Sequence, residues 1–211
     1  MTRRTVAALV IATAIPLTAC AIGERPSFDT SSPFSGEETG DPNIDAVLAK
    51  LDSQTEGPYT ATYLVTVNLG GTVTEAVVAR EPGRRSVTAN GVRYLDEQGQ
   101  RQTCRLDAAT PCEAEWQAQY VSDTIINPDF AGDAAARRLR RDAAASIAPT
   151  VLEQSTVAGQ PATCVTIAVP GGNVQYCVLD NGAVGRIVDS DVQIDLQSYL
   201  TTVDPALFSP T

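Results

Sequence analysis

The chain has 211 residues, of which 43% are apolar, so it is long enough to bury one core of ordinary size. Its formal charge of −10, from 25 acidic and 15 basic residues, argues against a nucleic-acid partner, because nucleic acids bind basic surfaces. The chain contains no histidine, which excludes Ser-His and Cys-His nucleophile pairs as well as His-ligated zinc.

The first nineteen residues read as an export signal. Arg3 and Arg4 make the start basic, and an almost unbroken apolar run follows from Val6 to Leu17. A membrane-spanning helix takes about 20 apolar residues, so this run is too short to cross a bilayer. A basic start, a short apolar stretch and small residues at its end are typical of a secretory signal, and we predict that residues 1–19 are removed.

The signal ends in Leu17-Thr18-Ala19-Cys20, which resembles the bacterial lipobox. The resemblance implies cleavage before Cys20 and attachment of a diacylglycerol to its thiol, often with a further acyl chain such as palmitate. Two or more chains, at about 0.8 kcal/mol per buried CH₂, anchor a protein stably. We therefore expect a lipid-anchored protein on the extracytoplasmic face of the cell membrane, with the membrane as a partner through Cys20.

Residues 20–42 have the composition of a tether. They are rich in Ser, Thr, Gly, Pro and acids, and they show neither a helical nor a strand period. Such a segment cannot bury enough apolar surface to order itself, so we predict a disordered linker. The remainder, residues 43–211, is predicted to form a single folded domain.

The first half of this domain is predicted to be one helix followed by an antiparallel meander. The helical spacing of apolar residues covers Ile44 to Leu51, with Asn43 or Asp41 available as cap. A period of two then begins, and Gly70-Gly71, Glu81-Pro82-Gly83 and Asn90-Gly91 mark turns. The predicted strands are Tyr59–Leu69, Thr72–Ala79, Ser86–Ala89, Val92–Leu95 and Gln100–Leu106.

The middle of the domain is predicted to be helical and the second half to return to strands. One helix is expected over Glu113–Val121, and another over Ala134–Ala148 with Asp133 as cap and an apolar stripe ending at Ile147. The following strands are Val151–Val157, Ala162–Val169, Val174–Leu179, Ala183–Asp189 and Val192–Leu200. This order indicates an α+β fold, with a curved antiparallel sheet and two or three helices packed on it.

Four of the five cysteines form an even set, and disulfides are the expectation for an exported protein. Three connectivities exist for Cys104, Cys112, Cys164 and Cys177, and we favour pairing in sequence order. A hairpin that pairs Ala168 with Asn173 also places Cys164 opposite Cys177, where two thiols can be bridged. The alternative, a metal site, normally uses closely paired cysteines, which this chain lacks, so we expect no metal.

Four arginines cluster on the second predicted helix: Arg137, Arg138, Arg140 and Arg141. One interpretation is a solvated helix face paired with nearby acids. The other is contact with anionic lipid headgroups beneath the anchor, where each charge contributes about 1 kcal/mol. No residue pattern singles out a catalytic group, so we expect neither enzyme activity nor a cofactor.

The order of these segments resembles the actinobacterial lipoproteins of the LppX/LprG type, which are related in fold to the LolA lipoprotein carrier. The matching pieces are the lipobox, the polar tether, the first helix and long first strand, the helical insert, Glu153 with Thr156–Gln160, and the ending Val203-Asp204-Pro205 to Pro210. The resemblance implies a half-barrel sheet around helices on its concave side. This sequence departs from the family pattern in having four cysteines in the domain, which the relatives lack.

The resemblance implies a cell-envelope protein that binds or carries a lipid or another hydrophobic ligand. A sheet stapled by two disulfides is less able to open around a lipid, which leaves a second interpretation. In that alternative the protein is an anchored interaction or assembly protein with a filled core and no ligand.

Overall fold

The computed structural model describes residues 38–53, 57–107, 110–120 and 125–210. The predicted signal, Cys20 and most of the predicted tether lie outside these residues. Two α-helices are present in the described part, α1 (Pro42–Asp52) and α2 (Asp133–Ala144), with 3-10 turns at Ala118–Tyr120 and Pro205–Phe208. The strands are β1 (Tyr59–Val67), β2 (Thr72–Glu81), β3 (Arg84–Ala89), β4 (Val92–Glu97), β5 (Gln100–Arg105), β6 (Glu113–Ala114), β7 (Val151–Val157), β8 (Gln160–Val169), β9 (Gly172–Leu179), β10 (Val184–Val188) and β11 (Val192–Leu200).

Helix α1 begins where the sequence predicts. The Asp41 carboxylate accepts hydrogen bonds from the backbone N–H groups of Asn43 and Ile44, at 2.8 and 3.3 Å, so Asp41 is the cap. Pro42 occupies the first helical position, where its missing N–H costs nothing. The Thr150 hydroxyl donates to the same carboxylate, which ties the start of α1 to the chain entering β7.

All eleven strands belong to one open antiparallel sheet in the order β6-β5-β4-β3-β2-β1-β11-β10-β9-β8-β7. Two meanders, one from each half of the chain, are joined where β1 pairs with β11. The register continues across this join, because Val65 faces Ile194, Ile194 faces Ile187, Ile187 faces Tyr176 and Tyr176 faces Val165. Cross-strand partners lie on the same face of a sheet, so these side chains define one continuous inner face.

Both helices pack on this inner face. Helix α1 contacts β7, β8 and β9, and α2 contacts α1 and β8. The α+β class, with a half-barrel sheet and helices on one side, is thus confirmed. Side chains that are almost fully buried fill the space between helices and sheet: Ile44, Val47, Leu51, Tyr63, Val65, Leu139, Val165, Ile167 and Tyr176.

The helix predicted over Glu113–Val121 is wrong. Glu113 and Ala114 instead pair with Thr103 and Gln102 as β6, and Glu115 has a positive φ of 66°, which ends any helical path. A helix of nine residues is marginal on its own, and tertiary contacts decide the segment. The Trp116 indole N–H donates to the Leu95 carbonyl at 3.3 Å.

Helix α2 also differs from its predicted bounds. Gly132 is its N-cap, without a side-chain hydrogen bond, and Asp133 lies inside the first turn. The helix ends at Ala144, so Ile147 lies outside it and is 67% exposed instead of completing an apolar stripe. The backbone N–H of Ile147 donates to the Ala168 carbonyl, so the chain is already bonded to β8 before β7 begins.

The two disulfides join Cys104 to Cys112 and Cys164 to Cys177. Cys164 faces Cys177 directly, and Ala168 faces Asn173, so the predicted hairpin register is confirmed. The first bridge connects β5 to the segment that enters β6. Both pairings are those favoured from the order of the cysteines in the sequence.

Candidate functional site: a groove beside strand β5

An open groove of about 970 Å³ runs beside β5, on the side of the sheet that ends in β6. We call it the β5 groove. Its walls come from β5, from the segment between Thr110 and Glu115, and from Pro210 near the C-terminus. A smaller cavity of about 150 Å³ shares Gln100, Gln102 and Pro210 with it and extends toward Arg84 and Phe208.

The C-terminal segment forms one wall because Arg93 holds it against the sheet. The Arg93 guanidinium donates to the carbonyls of Ala206 and Ser209 at 2.9 and 2.8 Å. Arg93 is buried, and burial lowers the pKa of its guanidinium from the usual range. Nearby, the Arg84 guanidinium lies 4.2 Å from the centre of the Phe208 ring, a cation–π contact.

The wall formed by residues 110–115 depends on the first disulfide. The bridge from Cys104 to Cys112 ties the segment to β5, and the Cys112 sulfur lies 3.3 Å from the Pro210 carbonyl oxygen. The Thr103 hydroxyl donates to the Glu115 carbonyl at 3.0 Å and accepts from the Gln117 N–H at 3.0 Å. These bonds hold the segment beyond β6 in an irregular path.

Two half-exposed arginines line the groove, together with Glu115. Arg101 pairs with Asp96 at 3.6 Å and lies 4.1 Å from the Trp116 ring centre, and Arg105 pairs with Asp107 at 3.5 Å. Ion pairs of this length between solvated groups contribute little, about 0–1 kcal/mol. Both guanidinium groups can therefore exchange their partners for an anionic group in the groove.

Arg101 also lines a shallower cavity of about 430 Å³. Its other lining residues include Arg80, Arg85, Trp116, Asp129 and Asp133. The Arg85 guanidinium donates to the Phe130 carbonyl and lies so close to Gly132 that a Cβ at that position would collide with it. Arginines and acidic residues both line this cavity, so its electrostatic potential does not favour a ligand of either charge.

Each arginine of the predicted cluster on α2 has an acidic partner. Arg137 pairs with Asp129 at 3.2 Å, Arg140 with Asp52 at 2.5 Å, Arg141 with Asp142 at 3.1 Å, and Arg138 with Asp189. Arg140 is buried between the two helices. The Tyr176 hydroxyl donates to Asp142 at 2.6 Å; burial, and then the Asp142 charge, raise the pKa of Tyr176 well above its usual range. Headgroup contact by these arginines stays a prediction.

The other sites predicted from the sequence are the domain cysteines, which the structure describes, and Cys20, which it does not. All four domain cysteines are bridged. Cys20 lies outside the described residues, so its lipidation stays a prediction. Among the described residues, no three Cys, Asp or Glu side chains are grouped as metal ligands, and no helix there is long and apolar enough to span a bilayer.

The β5 groove itself was not predicted from the sequence. Arg101 and Arg105 sit in a polar strand, and only their position beside the groove makes them notable. The closing wall comes from Pro210, more than a hundred residues away along the chain. The one available signal was the Cys104–Cys112 pair, which predicts a constrained corner at this position.

The architecture is thus an open antiparallel sheet with helices on its inner face. No protein-family model and no curated protein matches the chain. The chain is similar in structure to MucB, with a TM-score of 0.49 and 10% identity over 81% of this chain, and it spans only 63% of that protein's length.

Two further solved structures are similar to the chain. One is the Pseudomonas aeruginosa MucA/MucB complex, with a TM-score of 0.46 and 13% identity, covering 79% of this chain and 60% of that one. The other is a putative outer membrane lipoprotein-sorting protein domain from Vibrio parahaemolyticus, with a TM-score of 0.34 and 8% identity, covering 79% of this chain and 95% of that one. At these scores and identities we draw no functional conclusion from them.

Proposed function

We propose that the protein is a lipid-anchored interaction protein of the cell envelope, which docks a partner in the β5 groove and carries no lipid in its core. The observation that carries this choice is the complete burial of side chains between the helices and the sheet. Val47, Leu139 and Val165 are fully buried between the helices and the sheet, and this region is part of one continuous apolar cluster. A protein interior packed to normal density holds no acyl chain without separating its layers.

The anchor of the proposed function rests on the lipobox resemblance at Leu17–Cys20. Changing Cys20 to Ala removes the acceptor thiol. The variant should lose labelling by an alkynyl palmitate analogue and leave the membrane fraction. Retention of the variant in membranes would refute the anchor.

Docking in the β5 groove is tested in cells with a photo-crosslinking amino acid at Gln102, an exposed groove residue. The matched control is the same replacement at Gln197, which is also exposed but lies on β11. Crosslinking to a partner protein at residue 102 and not at residue 197 is the expected result. Equal crosslinking at both positions contradicts specific docking.

The role of the groove wall is tested by Arg93→Met, which keeps an unbranched apolar stem and removes the donors to Ala206 and Ser209. We expect faster backbone hydrogen exchange near the C-terminus and loss of crosslinking at residue 102. Unchanged crosslinking after the C-terminal segment has been released would show that the partner does not use this wall.

A second candidate function is binding of a small anionic amphiphile in the same groove. The volume of about 970 Å³ lies within the range of small-molecule sites, and Leu106 and Pro111 lie beside the two arginines. Native mass spectrometry of the protein released gently from membranes separates the two functions. Co-purified lipid that is lost in an Arg101→Gln, Arg105→Gln double variant supports the amphiphile, while an unliganded mass supports protein docking.

A further inference from the structure

Strand β7 forms the opposite edge of the sheet. It pairs with β8 along its whole length, and no other described strand pairs with it. Six of its seven residues are exposed, from Val151 to Thr156. Among the described strands its outer backbone groups have no partner, and such a ladder of donors and acceptors is a template for a further strand.

Within the described residues, this edge has little of the usual protection against pairing. Strand β7 contains no Lys, no Pro and no bulge, and Glu153 is the one charged residue between Ala143 and Leu179. Apolar side chains accompany it, with Ile147, Val151 and Leu152 exposed at 67, 59 and 38%. In a chain of net charge −10, this is a surface where a second copy meets little repulsion.

The turn before β8 decides which groups of β7 point outward. Ala158 and Gly159 have φ angles of 48 and 74°, the signature of a two-residue type I′ hairpin closed by Val157 and Gln160. The closing pair is hydrogen-bonded, and hydrogen-bonded pairs alternate along an antiparallel ladder. Val157, Ser155 and Glu153 therefore bond to β8, whereas Leu152, Gln154 and Thr156 direct their N–H and C=O groups away from the sheet.

We propose that this edge binds a second copy of the chain, β7 against β7, antiparallel and centred on Gln154. In this register each Leu152 faces Thr156 of the other copy and the two Gln154 residues face each other, so every outward group is paired. Glu153 then faces Ser155. Moving the centre to Glu153 places two carboxylates opposite each other, which is destabilising, and moving it to Ser155 leaves Leu152 without a partner. The proposal is independent of docking in the β5 groove.

The register is tested in the full chain by Gln154→Cys, with Ser155→Cys as the matched control on the same exposed strand. Facing residues of a hydrogen-bonded antiparallel pair have Cα atoms about 5.5 Å apart, which a disulfide bridges. Two Ser155 positions would be roughly 8 Å apart, beyond that reach. After mild oxidation of membranes, Gln154→Cys should form a covalent dimer and Ser155→Cys should not. The unsubstituted chain, treated in the same way, measures any crosslinking through Cys20.

The affinity is tested by Thr156→Pro against Thr156→Ala in the full chain purified in mild detergent. Both lose the threonine side chain, but proline also removes an N–H that bonds to no other described strand. Loss of one hydrogen bond from each copy should raise the dimer dissociation constant at least about tenfold for proline and little for alanine, as measured by sedimentation velocity. A monomer at all concentrations, equal crosslinking at residues 154 and 155, or a Gln154→Cys adduct to a different protein would each overturn the proposal.

Discussion

Leu139 lies in the packed layer between α2 and the rest of the core, with no exposed surface, and its truncation measures how completely that layer is filled. A buried Leu→Ala change loses the transfer free energy of the removed carbons and leaves a cavity that neighbouring groups fill incompletely. For a fully buried site on a helix packed against α1 and β8 we expect a loss of about 3–4 kcal/mol in the free energy of unfolding.

Urea unfolding followed by circular dichroism gives this value. With a denaturant slope of about 2 kcal/mol/M, the midpoint should fall by roughly 1.5–2 M. Leu69→Ala is the matched control, because Leu69 lies in the turn after β1, is 88% exposed and should cost less than about 0.5 kcal/mol.

A loss below about 1.5 kcal/mol for Leu139→Ala would refute the filled interior. Stabilisation of the unsubstituted chain by an added fatty acid would show that the native interior accepts a ligand. That pair of results would favour lipid carriage over the proposed interaction function.

Two further predictions concern a buried tyrosine and the disulfides. Tyr63→Phe removes a 3.0 Å hydrogen bond to the Val184 carbonyl and should cost about 1 kcal/mol at pH 7. Because burial raises the pKa of Tyr63 well above its usual range, the unfolded chain releases this proton first as the pH rises through about 10, and stability falls above that pH. The phenylalanine variant should lose about 1.4 kcal/mol less per pH unit there, and parallel curves from pH 9 to 11.5 would contradict this. Mild reduction should open Cys104–Cys112 before Cys164–Cys177, because Cys112 lines an open groove whereas Cys164 and Cys177 are buried. Thiol labelling and mass spectrometry identify which bridge opens first. The reverse order would contradict the described exposure.

Local patterns identify most of the individual elements. The first helix, the strands of both meanders and the pairing of Cys164 with Cys177 follow from apolar spacing and turn residues, which act over a few residues. The helix prediction for Glu113–Val121 is wrong. The apolar spacing of this segment favours a helix, but pairing with β5 and the Cys112 bridge place it in a strand followed by an irregular segment. The prediction that Ile147 completes the apolar stripe of α2 is wrong, because the helix ends at Ala144 and the chain then turns toward β7.

The sequence by itself indicated the α+β class, most of the element order and the favoured disulfide pairing, and it predicts the address carried by Leu17–Cys20. Only the tertiary structure decided that β1 pairs with β11, which merges two local meanders into one sheet and leaves β6 and β7 as its edges. It also brought Pro210 beside β5 to form the groove. The physical reason is that strand edges and chain ends meet through long-range packing and backbone hydrogen bonds, which no short-range period along the chain encodes.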